Sequence, residues 1–148
     1  ERMIRSGVYK RPLVANWVAI GGGMDAPTIY NLANFLRAMP ERVALTLESS
    51  MLNTLPVNMM AMALGLHVRC GIEDNLWSQD RKSKMSSVKQ IEQLVRISRE
   101  FGREVANGKE AKQILQIGTF YDSIDETLAK NGFAPNRPDA RSFQQAAE

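Results

Sequence analysis

"HVRCGIEDN", residues 67–75, sets an arginine inside a short apolar run and closes that run with two adjacent acids. Read as a strand, the run sends alternate side chains to opposite faces. Arg69, Gly71 and Glu73 then share one side, and Val68, Cys70 and Ile72 the other. The apolar set is expected to pack against helices. The polar set faces inward, with Glu73 at the C-terminal rim and His67 at the opposite end. A charge on a buried strand needs a partner or a purpose. Glu73 and Asp74 repel each other, and the Arg69 guanidinium offsets that repulsion. Two readings stay open at this point: a group that binds metal or moves protons, or a buried Arg–Glu pair that fixes strand register.

Upstream, the same kind of run recurs twice. "PLVANWVAI" (12–20) is β-branched and apolar and reads as a buried strand, broken by "GGG" at 21–23. A helix is expected from about Asp25, with Pro27 in its first turn and Ile29, Leu32, Ala33 and Leu36 on one apolar face. "RVALTLE" (42–48) is a second strand, and Pro56 opens a helix through "VNMMAMAL" that Gly65 stops. Downstream of the quoted stretch, Ser87 with Gln90 predicts a capping box. Ile91, Leu94, Val95, Ile97 and Phe101 then form a buried stripe ending at Gly102. Asn107 with Glu110 opens a short helix, and Asp122 to Lys130 gives another before Gly132. From Phe133 on, the chain reads as an extended arm with Pro135 and Pro138. At the other end, "ERMIRSG" reads as the last turn of a helix stopped by Gly7, as in the tail part of a longer chain.

The order βαβαβα with short connections predicts a parallel sheet. Parallel sheets are covered on both faces. Three strands with helices on one side therefore call for further strands, either of a barrel or of another chain.

At 148 residues the chain suffices for one ordinary domain. With 44% apolar and 24% charged residues it reads as soluble and globular. No run approaches the roughly 20 apolar residues of a membrane span. Cys70, the sole cysteine, excludes an internal disulfide, and a reducing cytoplasm is the expected compartment. Net charge is +3, with basic residues scattered except for "RKSK" at 81–84. That cluster reads as a solvated loop or as an attractor of phosphate groups or RNA; an RNA-binding use lacks a basic helix face and stacking aromatics nearby. "GGG" reads as a strand-to-helix turn or as a close approach to a phosphate. Glu48 and Ser49 in "LESS" could line the same rim as Glu73, and the methionines at 59, 60 and 62 read as helix core.

"GLHVRCGIEDNLW" (65–77) resembles the signature of the β-keto acid cleavage enzymes, of the 3-keto-5-aminohexanoate cleavage type. "REFGREVANGKEAKQIL" (99–115) is similar to that family's usual ending, and "FYDSIDETLAKNGFAPNR" to an extension some members carry. The resemblance implies a (β/α)8 TIM barrel with zinc at its C-terminal rim. It also implies a reaction between a β-keto acid and acetyl-CoA that yields acetoacetate and a new acyl-CoA. By the same resemblance Glu73 matches the zinc-ligating carboxylate, Asp74 the general base and Arg69 the arginine that orients the site. The family's His-x-His zinc ligands have no counterpart, since His67 is the sole histidine, and a catalytic zinc needs three protein ligands.

The chain is therefore expected to be the last three or so βα units of a barrel (1–118) followed by a C-terminal extension (119–148), inactive without the missing strands. Small-molecule substrates and a homo-oligomer are expected, with the arm reaching a neighbouring subunit and neither nucleic acid nor membrane as partner. The alternative is a non-catalytic structural subunit that keeps part of the barrel fold.

Overall fold

Two leucine- and valine-rich runs pair side by side in parallel, and a third, much shorter, joins them. Strand β1 (Val14–Ala19) aligns with β2 (Ala44–Ser49) along its whole length, Val14 opposite Ala44 and Val18 opposite Glu48. Strand β3 is only His67–Val68, paired with Thr46 and Leu47 on the far side of β2. The order is β1-β2-β3. This computed structural model describes residues 1–20 and 25–137. The glycine run at 21–23 and the arm beyond residue 137 lie outside the described residues.

Six helices surround the sheet in the described residues: α1 (Arg2–Arg5), α2 (Ile29–Ala38), α3 (Thr54–Ala63), α4 (Ser87–Glu100), α5 (Gly108–Ile114) and α6 (Ile124–Lys130). One face of the sheet is dry. Trp17, Ala19, Leu45 and Leu47 pack there with Leu32 of α2 and with Val57 and Ala61 of α3. Burial at this density is what holds the layers together, because apolar area removed from water stabilises by roughly 25 cal/mol per Å². The opposite face is open. Val14 and Val18 are 45% and 37% exposed there, and Asn16 is exposed as well. A parallel sheet with one bare face departs from the usual two-sided cover. No helix among the described residues is long and apolar enough to cross a membrane.

Several local expectations shift. Helix α2 starts at Ile29 rather than near Asp25, because the Thr28 side chain caps it by accepting from Asn31 N; Pro27 lies outside. Ile29 is 68% exposed, and Leu32 is that helix's buried anchor. Helix α3 begins two residues before Pro56, which falls in the first turn, where its missing N–H costs nothing. Ser86, one residue earlier than expected, caps α4 by accepting from Lys89 N. Gln90 is thereby freed from capping and is buried. The stripe on α4 is half wrong: Leu94 is buried, but Ile91 and Phe101 are 51% and 41% exposed. The capping box of Asn107 with Glu110 on α5 is present.

Residues past Gly118 fold back onto the start of the sheet. Asn131, buried just after α6, accepts from Leu13 N at 2.6 Å and donates to Arg11 O at 3.0 Å and Thr127 O at 2.8 Å. Tyr121 N donates to Lys10 O at 2.9 Å, and Arg11 lies over the Phe120 ring. Replacing Asn131 by Ala leaves the part-buried Leu13 N–H and Arg11 carbonyl without their partner. The expected loss is about 1–3 kcal/mol, read as a lower urea midpoint with an unchanged slope.

Candidate active site

Parallel pairing puts the C-terminal ends of all three strands at one rim, and the polar residues collect there. Glu48 is the penultimate residue of β2, on the open face, yet it is wholly buried. Arg69 follows β3 by one residue and covers it: Nη1 lies 2.9 Å from Glu48 Oε2. Its other nitrogen, Nη2, lies 3.2 Å from Glu73 Oε2 and 3.9 Å from Asp74 Oδ2. Asn16, across the sheet on β1, donates to Glu48 Oε2 at 3.4 Å. One guanidinium thus gathers three carboxyl groups from two strand ends.

The loop that carries the acids is held from three sides. Met51 N donates to Asp74 O at 2.7 Å, which ties the turn after β2 to the turn after β3. Gln90 of α4 donates to Asn75 O at 2.6 Å, and the Ser87 hydroxyl accepts from Ile72 N at 3.3 Å. Asn58 of α3 donates to Arg69 O at 3.1 Å from a buried position. Met51 takes a left-handed φ of 57°, a conformation that costs a side-chain-bearing residue energy and persists only where neighbours fix it.

Arg69, Glu73 and Asp74 therefore meet as expected, but their surroundings differ from a buried strand. Since β3 ends at Val68, the strict two-residue alternation stops there. Ile72 is 49% exposed instead of packed. The Arg69 side chain is 47% exposed and Glu73 82%, whereas Asp74 is only 15% exposed. The buried charge is Glu48, not Arg69. Its signal in the sequence is faint: a lone acid on the apolar run "RVALTLE", which becomes meaningful only once β2 is known to be the central strand. His67 lies at the other end of the sheet, beside Val14 and Ala44. Ser49 is buried and donates to Ala19 O at 2.7 Å, which is structural bonding.

Burial, chiefly, raises the Glu48 carboxyl from its ordinary 4.5 to about 7. A hydrogen bond and the negative charge of Asp74 push the same way, and together these outweigh the pull of Asn16 and Arg69. The guanidinium is half in water and shared among three acids, so its field on any one of them is weakened. The Cys70 thiol is also raised, by burial first and then by Asp74 and Glu48. "RKSK" lies in a turn where Trp77 bridges Lys84, with Lys84 Nζ 5.7 Å from the Trp77 ring, so an aromatic does stand beside it. Between this turn and the one after β2 is an open hollow of about 510 Å³, lined by Met51, Leu52, Asn75, Trp77 and Arg81.

A carboxyl–guanidinium cluster at the C-terminal rim of a parallel α/β sheet defines a class: domains whose chemistry is built on strand ends and the loops that follow them. Comparison with known proteins gives the family. The description "beta-keto acid cleavage enzyme" matches residues 1–117, and this chain belongs to that family. The 3-keto-5-aminohexanoate cleavage enzyme of Acetoanaerobium sticklandii is 33% identical over 117 residues, 78% of this chain and 42% of that protein. The enzyme of the same name from Fusobacterium nucleatum is 29% identical over 116 residues, again 78% and 42%. The chain thus spans less than half the length of these relatives.

The raised Glu48 gives a pH signature with a definite sign. The folded state binds a proton more tightly than the unfolded chain, so this group's contribution to stability is complete below about pH 4.5 and is lost as pH climbs to about 7. Urea titrations across that window should show the parent falling relative to Glu48→Gln as pH rises. Parallel curves would mean that Glu48 does not carry the shift.

Proposed function

We propose that the chain supplies the last βα units of a (β/α)8 barrel that cleaves a β-keto acid at the expense of an acetyl-CoA thioester. The observation that carries the reading is the gathering of Arg69, Glu73 and Asp74 at the strand ends, with Nη2 of Arg69 within 3.9 Å of both acids. Family membership and the names of the two relatives support it. So does the bare sheet face, which further strands of a barrel would cover. A sole, partly buried free cysteine also fits the reducing cytoplasm.

In this reading Asp74 takes a proton from the carbon between the ketone and the carboxylate of the substrate. A carboxylate serves as base there if it is held ionised and within reach, and Arg69 provides both a fixed neighbour and a positive charge for the substrate carboxylate. The carbon nucleophile attacks the acetyl carbonyl and expels the coenzyme as its thiolate. The thiolate then adds to the substrate ketone, the bond between that carbon and the ketone breaks to give the new thioester, and the acetoacetate carbanion takes a proton back from Asp74. The hollow beside Asn75 and Trp77 offers room at this rim for the thioester or the substrate side chain.

Zinc is part of the family's chemistry by resemblance, and Glu73, the most exposed acid of the cluster, is the residue of this chain that would reach it. Among the described residues no group of three His, Cys, Asp or Glu side chains could hold a metal ion. The residues present therefore do not make a zinc site by themselves.

In the full-length protein, Asp74→Asn should lower kcat by about 10²–10⁴-fold while the urea midpoint stays near the parent's. Steady-state assay of acetoacetate formation from a panel of β-keto acids with acetyl-CoA checks this, and parental turnover would remove Asp74 as base. Glu73→Gln should instead lower the zinc content measured by elemental analysis. A variant as rich in zinc as its parent would take Glu73 off the ligand set.

A further inference from the structure

The hollow between the turn after β2 and the turn at 76–85 abuts the loop that carries the candidate base. Met51 N donates to Asp74 O at 2.7 Å, and Met51 and Asn75 both line the hollow. Its volume, about 510 Å³, suits a sizeable part of a small-molecule ligand. Among the described residues no acid lines it. Arg81 is its charged wall and Trp77 its aromatic one, and Lys84 Nζ stands 5.7 Å from the Trp77 ring. These cations are uncompensated: among the described residues Arg81, Lys82 and Lys84 form no ion pair. The acid of the turn, Asp80, is engaged within it, its Oδ1 accepting from Ser78 Oγ at 2.6 Å and from Lys82 N at 3.1 Å. The frame is tied together. Ser78 N donates to Ser83 O at 2.8 Å, Met85 N to Leu76 O at 2.9 Å, and Gln79 Nε2 reaches across to Leu52 O at 3.0 Å. Met51 and Arg81 have left-handed φ of 57° and 61°, and they are two of the three non-glycine residues so placed among the described residues. Such strain persists where the surroundings over-determine it, as ligand clamps do.

We propose that this hollow is a subsite for a phosphorylated nucleotide, its base against Trp77 and its phosphates on Arg81 and Lys84, and that it receives the nucleotide end of the thioester coenzyme. An indole beside unpaired cations is what a nucleotide satisfies on both counts. Its flat base stacks on an aromatic ring, and its phosphates take a guanidinium in bidentate pairs. The β-keto acid does not meet this demand, because in the cleavage reading Arg69 receives its carboxylate. Two further cations call for further negative charge. Naming the coenzyme as the source rests on the cleavage reading; recognition of a nucleotide phosphate does not.

The test uses the full-length protein and Arg81→Gln, a change at an exposed residue. Steady-state kinetics compare acetyl-CoA with S-acetyl-N-acetylcysteamine, a thioester that lacks the nucleotide and its phosphates. In Arg81→Gln the ratio of kcat/KM for acetyl-CoA to that for the short thioester should fall by about 10-fold or more, chiefly through KM, the size expected of one charge-assisted hydrogen bond. An unchanged ratio removes the coenzyme from the hollow. A second readout needs no turnover: calorimetric titration with ADP and with inorganic pyrophosphate. ADP should bind the parent, and bind Arg81→Gln about 10-fold more weakly. Pyrophosphate should bind the parent more weakly than ADP, because it has nothing to stack on Trp77. No ADP binding to the parent, equal ADP affinity in the two proteins, or pyrophosphate as tight as ADP each overturns the nucleotide subsite. A parent that binds ADP through Arg81 but turns over no β-keto acid upholds the nucleotide subsite, with a free nucleotide as its source, and fails the cleavage reading alone.

Discussion

The ion pair between Glu48 and Arg69 is the contact on which the rim depends. It joins the central strand to the segment after its short neighbour, at a point where only two residues of β3 are hydrogen-bonded into the sheet. A pair of this kind is a poor source of net stability, since taking the charges out of water offsets most of their attraction. Its value lies in geometry. Nη1 is committed to the buried acid, so Nη2 has nowhere to turn but outward, toward Glu73 and Asp74.

The two faces of the sheet divide the labour. On one, Trp17, Leu45 and Leu47 meet the helices and supply the apolar burial that makes a small domain cohere. On the other, Asn16 of β1, Glu48 of β2 and Arg69 just past β3 converge, with Asn16 and Arg69 both directed at Glu48 Oε2. Moving any one of them by a single residue along its strand would turn it into the apolar layer, where it would be stranded. Register is therefore a chemical as well as a packing requirement here.

How far this could be read from residues alone depends on the element. β1 and β2 are legible because long alternating apolar runs bounded by turn signals leave little choice, and the α5 cap because Asn107 and Glu110 satisfy both halves of a known pattern. The third strand is overdrawn. "HVRCGI" has strand composition throughout, but Gly71 and the tie from Met51 N to Asp74 O bend the chain away after Val68. The meeting of Arg69 with Glu73 and Asp74 survives that error, since it needs only local proximity. Glu48 is legible only as an acid that could line the rim, and not as the buried one, for the opposite reason. Its partners Arg69 and Asn16 lie 21 and 32 residues away along the sequence, and nothing local distinguishes a buried acid from a solvated one. Likewise Ile91 and Phe101 satisfy the helical period, yet the surface they would pack against is absent among the described residues.

The stitches from Asn131 to Leu13 and Arg11 span 118 and 120 residues of chain. Contacts that distant along a chain carry the largest loop-closure entropy and form late. The backbone that Asn131 grips is the lead-in to β1. During synthesis on the ribosome β1 would emerge well before this clamp exists, so α6 would act as a latch on the start of the sheet.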